Sequence, residues 1–101
     1  MEQNIKTYKI IIKGEVQGVG FRYWFSDLAI SLRLNGYIQN QNNKNEVEAI
    51  IQGDINNILN IVEKSKSGPK LALVESVTPK KIISNVKYSS FNVKFNKKFK
   101  Y

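Results

Sequence analysis

Gly14-Glu15-Val16-Gln17-Gly18-Val19-Gly20-Phe21-Arg22 joins two segments whose hydrophobic residues repeat with different periods. Upstream, Tyr8, Ile10 and Ile12 alternate with Lys9, Ile11 and Lys13, the two-residue repeat of a strand with one strongly apolar face. Downstream, Phe21, Trp24, Phe25, Leu28 and Leu32 share one face of a helix predicted over 21–32. The glycines between them let successive backbone N–H groups turn toward one oxyanion. The start of the helix adds partial positive charge, and Arg22 adds a fixed fork of donors. Arg22 lies off the apolar face, so it is free to serve this loop while Phe21 and Phe25 bury themselves. These residues outline an anion cradle, and phosphate is the guest they suit.

The rest of the chain continues the alternation. Strands are predicted at Gly36 to Asn40 and Glu46 to Gln52, closed into a hairpin by Gln41-Asn42-Asn43-Lys44-Asn45, with Val47, Ala49 and Ile51 facing the core. Asp54 reads as the N-cap of a second helix with Ile55, Ile58, Leu59 and Val62 on its apolar stripe, and Gly68-Pro69 stops it. Leu71 to Val77 reads as a fourth strand, followed by a lysine-bearing connection around Pro79. A last strand carries Phe91, Val93 and Phe95 against Asn92, Lys94 and Asn96. The order is βαββαβ with an extra strand late. Right-handed crossovers fold it into an α+β, ferredoxin-like sandwich, an antiparallel sheet with two helices on one face. No internal repeat or long linker divides the chain, so residues 1–101 are expected to form one domain.

Composition narrows the chemistry further. With 42% hydrophobic and 24% charged residues the chain has the make-up of an ordinary globule, and no apolar run approaches a membrane span. The start, Met1-Glu2-Gln3-Asn4-Ile5-Lys6, lacks the apolar region of a signal peptide, which leads us to expect a cytoplasmic protein. The sequence contains no cysteine and no histidine. Disulfides, thiol nucleophiles, phosphohistidine intermediates and Ser-His-Asp triads are therefore excluded, as is the usual near-neutral general base. An enzyme built from these residues has to work by holding a reactive substrate and a water in place and by stabilising developing negative charge. An acyl phosphate, activated by its own carboxylate leaving group, is such a substrate.

The glycine-rich run resembles the signature of the acylphosphatase family, Gly-x-Val-Gln-Gly-Val-x-Phe-Arg, with every fixed position occupied. The likeness extends along the chain. Ala29-Ile30-Ser31-Leu32-Arg33-Leu34-Asn35-Gly36-Tyr37-Ile38-Gln39-Asn40 is similar to the family's Ala-x-x-Leu-Gly-Leu-x-Gly-Trp-Val-x-Asn. Gly68-Pro69-Lys70-Leu71-Ala72-Leu73-Val74-Glu75-Ser76-Val77 is similar to its Gly-Pro-x-x-Ala-x-Val-x-x-Val, and Phe91-Asn92-Val93 to its closing Phe-x-Ile. The resemblance implies metal-independent hydrolysis of small acyl phosphates with no cofactor, and a monomer is expected. It implies that Arg22 and the loop Glu15, Val16, Gln17, Gly18, Val19, Gly20 hold the phosphoryl oxygens. It also implies that Asn40 orients the attacking water, a role suited to a carboxamide, which both donates and accepts. Taken alone, Asn40 would read as a turn residue ending a strand.

Two departures stand out. After Asn40 the family usually shows x-x-Asp-Gly-x-Val-Glu, whereas this chain has Gln41-Asn42-Asn43-Lys44-Asn45-Glu46-Val47-Glu48, one residue longer and without the glycine. Asparagine tolerates positive φ, so the hairpin can still close without the glycine. Arg33 replaces a glycine at a position that should be left-handed. The net charge of +8, concentrated in Lys80, Lys81, Lys87, Lys94, Lys97, Lys98 and Lys100, also permits nucleic-acid binding, and RNA-recognition modules share this topology. Their third strand exposes aromatics, whereas this one offers Glu46, Glu48 and Ile50, so no specific nucleic-acid partner and no membrane partner is expected. A noncatalytic acyl-phosphate binder remains the other alternative.

Overall fold

The computed structural model describes residues 5–95. Asn96 of the predicted last alternation, the segment Lys97-Lys98-Phe99-Lys100-Tyr101 and the first four residues lie outside the described residues. Along the chain the elements are β1 (Ile5–Glu15), α1 (Phe21–Ser31), β2 (Asn35–Asn40), β3 (Glu46–Asp54), α2 (Ile55–Ser65), β4 (Leu73–Ile82) and β5 (Phe91–Lys94). The strands form one sheet in the order β4-β1-β3-β2-β5. The β1/β3, β1/β4 and β2/β3 pairs are antiparallel, as expected, and β5 adds a parallel edge beside β2.

Both helices cover one face. On it Ile10 and Ile12 of β1, Ile38 of β2, and Val47, Ala49 and Ile51 of β3 are fully buried beneath Phe21 and Phe25 of α1 and Ile58 and Ile61 of α2. At about 25 cal/mol per Å² of apolar surface, each of these isoleucine, valine and phenylalanine side chains contributes roughly 1.5–3 kcal/mol. Helix α1 lies over β2 and β5, and α2 over β1, β3 and β4. Asp54 caps α2 as read from the sequence, its carboxylate accepting from the Asn56 N–H at 2.8 Å. At the other end Gly68, at φ 67°, donates its N–H to the Lys64 carbonyl.

Several local expectations are corrected. Leu59 is 57% exposed, and Ile61 fills the place assigned to it, because the core-facing stripe of α2 runs through Ile58, Ile61 and Ser65. On α1 the fully buried positions are Phe21, Phe25 and Ala29, while Trp24, Leu28 and Leu32 flank the core partly buried. The fourth strand starts at Leu73 and runs on through Pro79 to Ile82. Proline is tolerated there because β4 is an edge strand, where a missing N–H removes no ladder bond.

The hairpin after Asn40 closes without a left-handed asparagine, since Arg33 is the single non-glycine residue with positive φ among the described residues. Its turn instead uses Gln41 N–H to Glu46 O at 3.1 Å, Glu46 N–H to Asn43 O at 3.2 Å, and Asn45 N–H to the Asn43 side-chain oxygen at 2.9 Å. The asparagine side chain replaces the glycine's conformational freedom with a local hydrogen bond.

Arg33 has φ 59°, the left-handed conformation expected just past α1. Its Cβ makes this conformation unfavourable, and glycine would remove that strain while raising unfolded-state entropy. Arg33→Gly should therefore stabilise the protein by up to about 1 kcal/mol, read as a higher denaturation midpoint. A lower midpoint would contradict this account.

Candidate active site

The cradle, Arg22 and Asn40 are assembled at one end of the sheet, and each arrives by a different element. Strand β1 delivers the loop: Glu15 is its exposed last residue, paired with Leu73 of β4. Val16 is buried in the core and Val19 packs partly against it, so their side chains anchor the loop. Gly18 (φ 75°) and Gly20 (φ 80°) have nothing within 4 Å of where a Cβ would sit. Conformation, not space, demands glycine at both positions, because left-handed φ is what turns the loop back on itself.

Gly20 is also the N-cap of α1, which has no side-chain cap and no acidic residue in its first turn. The first N–H groups of a helix have no intrahelical acceptor, so this terminus is suited to an anion. Arg22 stands in that turn. One guanidinium nitrogen donates to the Lys94 carbonyl at the end of β5 (3.0 Å), and its carbon lies 5.0 Å from the centre of the Phe95 ring. Lys94 is paired with Gln39, the neighbour of Asn40, so β5 is what places the arginine and the asparagine at the same sheet end. Nothing in the sequence flags Lys94 and Phe95 as supports for Arg22, since one acts through its backbone and the other reads as part of the last strand's apolar alternation. Phe95 is instead 63% exposed, under the guanidinium.

Asn40 ends β2 opposite Val47, whose side chain is fully buried on the helix-covered face. Its side-chain oxygen is buried and accepts no hydrogen bond among the described residues. A buried acceptor without a donor costs about 1–3 kcal/mol, so such a group marks a place where a bound molecule belongs. A water there would receive its orientation from the carboxamide.

Gln17 has a role that its place in the cradle did not suggest. Its side-chain amide nitrogen lies 3.1 Å from the Gln41 carbonyl, 3.0 Å from that of Asn43 and 2.9 Å from that of Glu46. The Gly14 N–H adds a bond to the Asn45 carbonyl at 2.9 Å. The glycine-rich loop and the lengthened hairpin after Asn40 are thereby tied into one unit.

On the opposite sheet face Glu48 accepts from the side chains of Gln39 (3.2 Å) and Gln41 (2.8 Å) and pairs with Lys9 (3.1 Å). Burial alone would raise its pKa, but the bonds from Lys9, Gln39 and Gln41 and the Lys9 charge outweigh it and hold the carboxyl below its ordinary value. A carboxyl depressed by folding contributes stability above its unfolded value, about pH 4.3, and loses it as pH falls through the lower folded value. The melting temperature should accordingly drop less steeply below pH 4.3 in Glu48→Gln than in the parent. Parallel curves would show that Glu48 is not linked to folding.

The acylphosphatase family model matches residues 8–93. An acylphosphatase of Vibrio parahaemolyticus is 45% identical over 75 residues, 74% of this chain and 82% of that protein. One from Dehalococcoides mccartyi is 38% identical over 87 residues, 86% of this chain and 96% of its own. The solved structure of an acylphosphatase from Coxiella burnetii superposes with a TM-score of 0.85 at 31% identity, covering 90% of this chain and 94% of that one.

Proposed function

The chain belongs to the acylphosphatase family and has that family's hydrolase function on acyl phosphates, and from this we propose how its residues divide the work. Arg22, the amides of residues 15–20 and the start of α1 hold the three phosphoryl oxygens. The Asn40 carboxamide holds a water in line with the bond to be broken. The water oxygen forms a bond to phosphorus, the bond from phosphorus to the carboxylate oxygen breaks, and the electron pair leaves with the carboxylate. The water's proton passes to a phosphoryl oxygen of the substrate, which removes the need for a histidine. Arg22 and the backbone donors stabilise the charge that gathers on the phosphoryl oxygens, the step where fixed donors have their largest effect.

The observation that carries this reading is the buried, unpartnered side-chain oxygen of Asn40 at the same sheet end as Arg22. The reaction proposed is metal-independent and cofactor-free, carried out by a single-domain cytoplasmic monomer. A nucleic-acid partner is disfavoured because the Tyr37 ring on the open sheet face is occupied, with the Lys94 ammonium 3.9 Å from its centre and Tyr88 edge-on at 6.2 Å. Base stacking needs a free ring.

Hydrolysis of benzoyl phosphate in the presence of EDTA tests the proposal. Equal release of benzoate and inorganic phosphate, undiminished by the chelator, is the expected result. A folded protein that binds inorganic phosphate and hydrolyses nothing would instead be a noncatalytic binder.

A further inference from the structure

Gln39 and Gln41 flank Asn40, and both side-chain amides donate to the same oxygen, Oε1 of Glu48. The other carboxylate oxygen, Oε2, is held by Lys9 from β1. Residues alternate across a strand, so a carboxylate that grips the residues before and after position 40 on one face fixes the direction of position 40 on the other. Glu48 is well placed for this, being directly opposite Gln39 in the β2/β3 register. Its side chain is only 14% exposed, which limits competition from water for the two amides. The grip is also rigid from below, because β3 is a central strand bonded on both sides.

From this arrangement we infer that Glu48 is a positioning residue for the hydrolytic step, acting through Gln39 and Gln41 to hold the Asn40 carboxamide against the attacking water. The inference rests on the proposed role of Asn40. It assigns the lengthened turn a consequence: Gln41 begins that turn, its backbone carbonyl is bound by Gln17 and its side chain by Glu48, so the glycine-rich loop and β3 both constrain the residue next to Asn40. A shift of about 1 Å in a positioning group can cost up to a hundredfold in rate, so a support of this kind should appear in turnover and not in phosphate binding.

The test uses Glu48→Leu, which accepts no hydrogen bond, and the double variant Gln39→Met with Gln41→Met, which removes the donors but leaves the Lys9–Glu48 pair. Turnover of benzoyl phosphate, KM and competitive inhibition by inorganic phosphate are measured on proteins shown by thermal melting to be folded. Both variants should lose about ten- to a hundredfold in kcat, with KM and phosphate inhibition within about twofold of the parent. Adding Glu48→Leu to Asn40→Ala should then change kcat by no more than about twofold, because the group being positioned is gone.

Full turnover in either support variant would overturn the inference, as would weakened phosphate inhibition or an undiminished loss in the Asn40→Ala background. The two levels separate cleanly. If Asn40→Ala is inactive and Glu48→Leu is not, only the positioning role fails. If Asn40→Ala itself keeps full turnover, the water-orienting role fails and the Glu48 role with it.

Discussion

Arg22→Ala should lower kcat for benzoyl phosphate by about a thousandfold or more, the range seen when a fixed donor or an arginine is removed from charge-stabilising sites. The guanidinium sits in the first turn of an uncapped helix beside a glycine-rich loop, so it adds a full charge to a site otherwise made of backbone dipoles. Its removal leaves the phosphoryl group with partial charges alone, and inhibition by inorganic phosphate should weaken as well. The fold should survive, because the Lys94 carbonyl and the exposed Phe95 ring that receive the side chain lie at the sheet's edge, not in the core. Arg22→Lys should recover little. A lysine delivers a point charge, and cannot bond the Lys94 carbonyl and a planar set of oxygens with one rigid fork. Near-parental turnover in Arg22→Ala, measured on protein with an unchanged melting curve, would remove Arg22 from the mechanism.

Asn40→Ala should cost about a hundred- to a thousandfold in kcat while leaving phosphate inhibition within about twofold, the pattern of a group that acts on the water and not on the phosphoryl oxygens. Its stability cost should be small or negative. The side-chain oxygen is buried and meets no donor from the described residues, so alanine removes no hydrogen bond within the protein at that atom and ends the cost of burying it. Asn40→Asp separates shape from chemistry: it preserves the outline of the side chain but brings a carboxylate toward an anionic substrate, and it should be no better than alanine. Loss of phosphate inhibition in Asn40→Ala would place the residue in the phosphate cradle instead.

How far the sequence carried the reading differs from residue to residue. Gly18 and Gly20 were legible because positive φ is a property of the backbone itself, and both adopt it with open space around them. Arg33 was legible for the same reason, an unfavourable residue at a position whose conformation the preceding helix dictates. Asp54 followed from a local bond two residues long. Leu59 was misplaced because a stripe counted on an isolated helix carries no information on which side the sheet lies. The hairpin was legible, but its closure was not, because Asn43 closes the turn with a side-chain bond and no asparagine takes positive φ among the described residues.

For the proposed site, Arg22 and the loop between β1 and α1 were legible as an anion cradle, and Asn40 entered through the resemblance to the acylphosphatase family. For Arg22 and the loop the signal lay in residue types at short fixed spacings, where local geometry depends on neighbours only a few bonds away. Tertiary structure alone decided what holds those groups: Lys94 and Phe95 under Arg22, Gln17 against three hairpin carbonyls, and Glu48 behind Asn40. These contacts join residues far apart in the chain, so they depend on sheet order and strand register, which are set by how the buried faces of all five strands and both helices fit together.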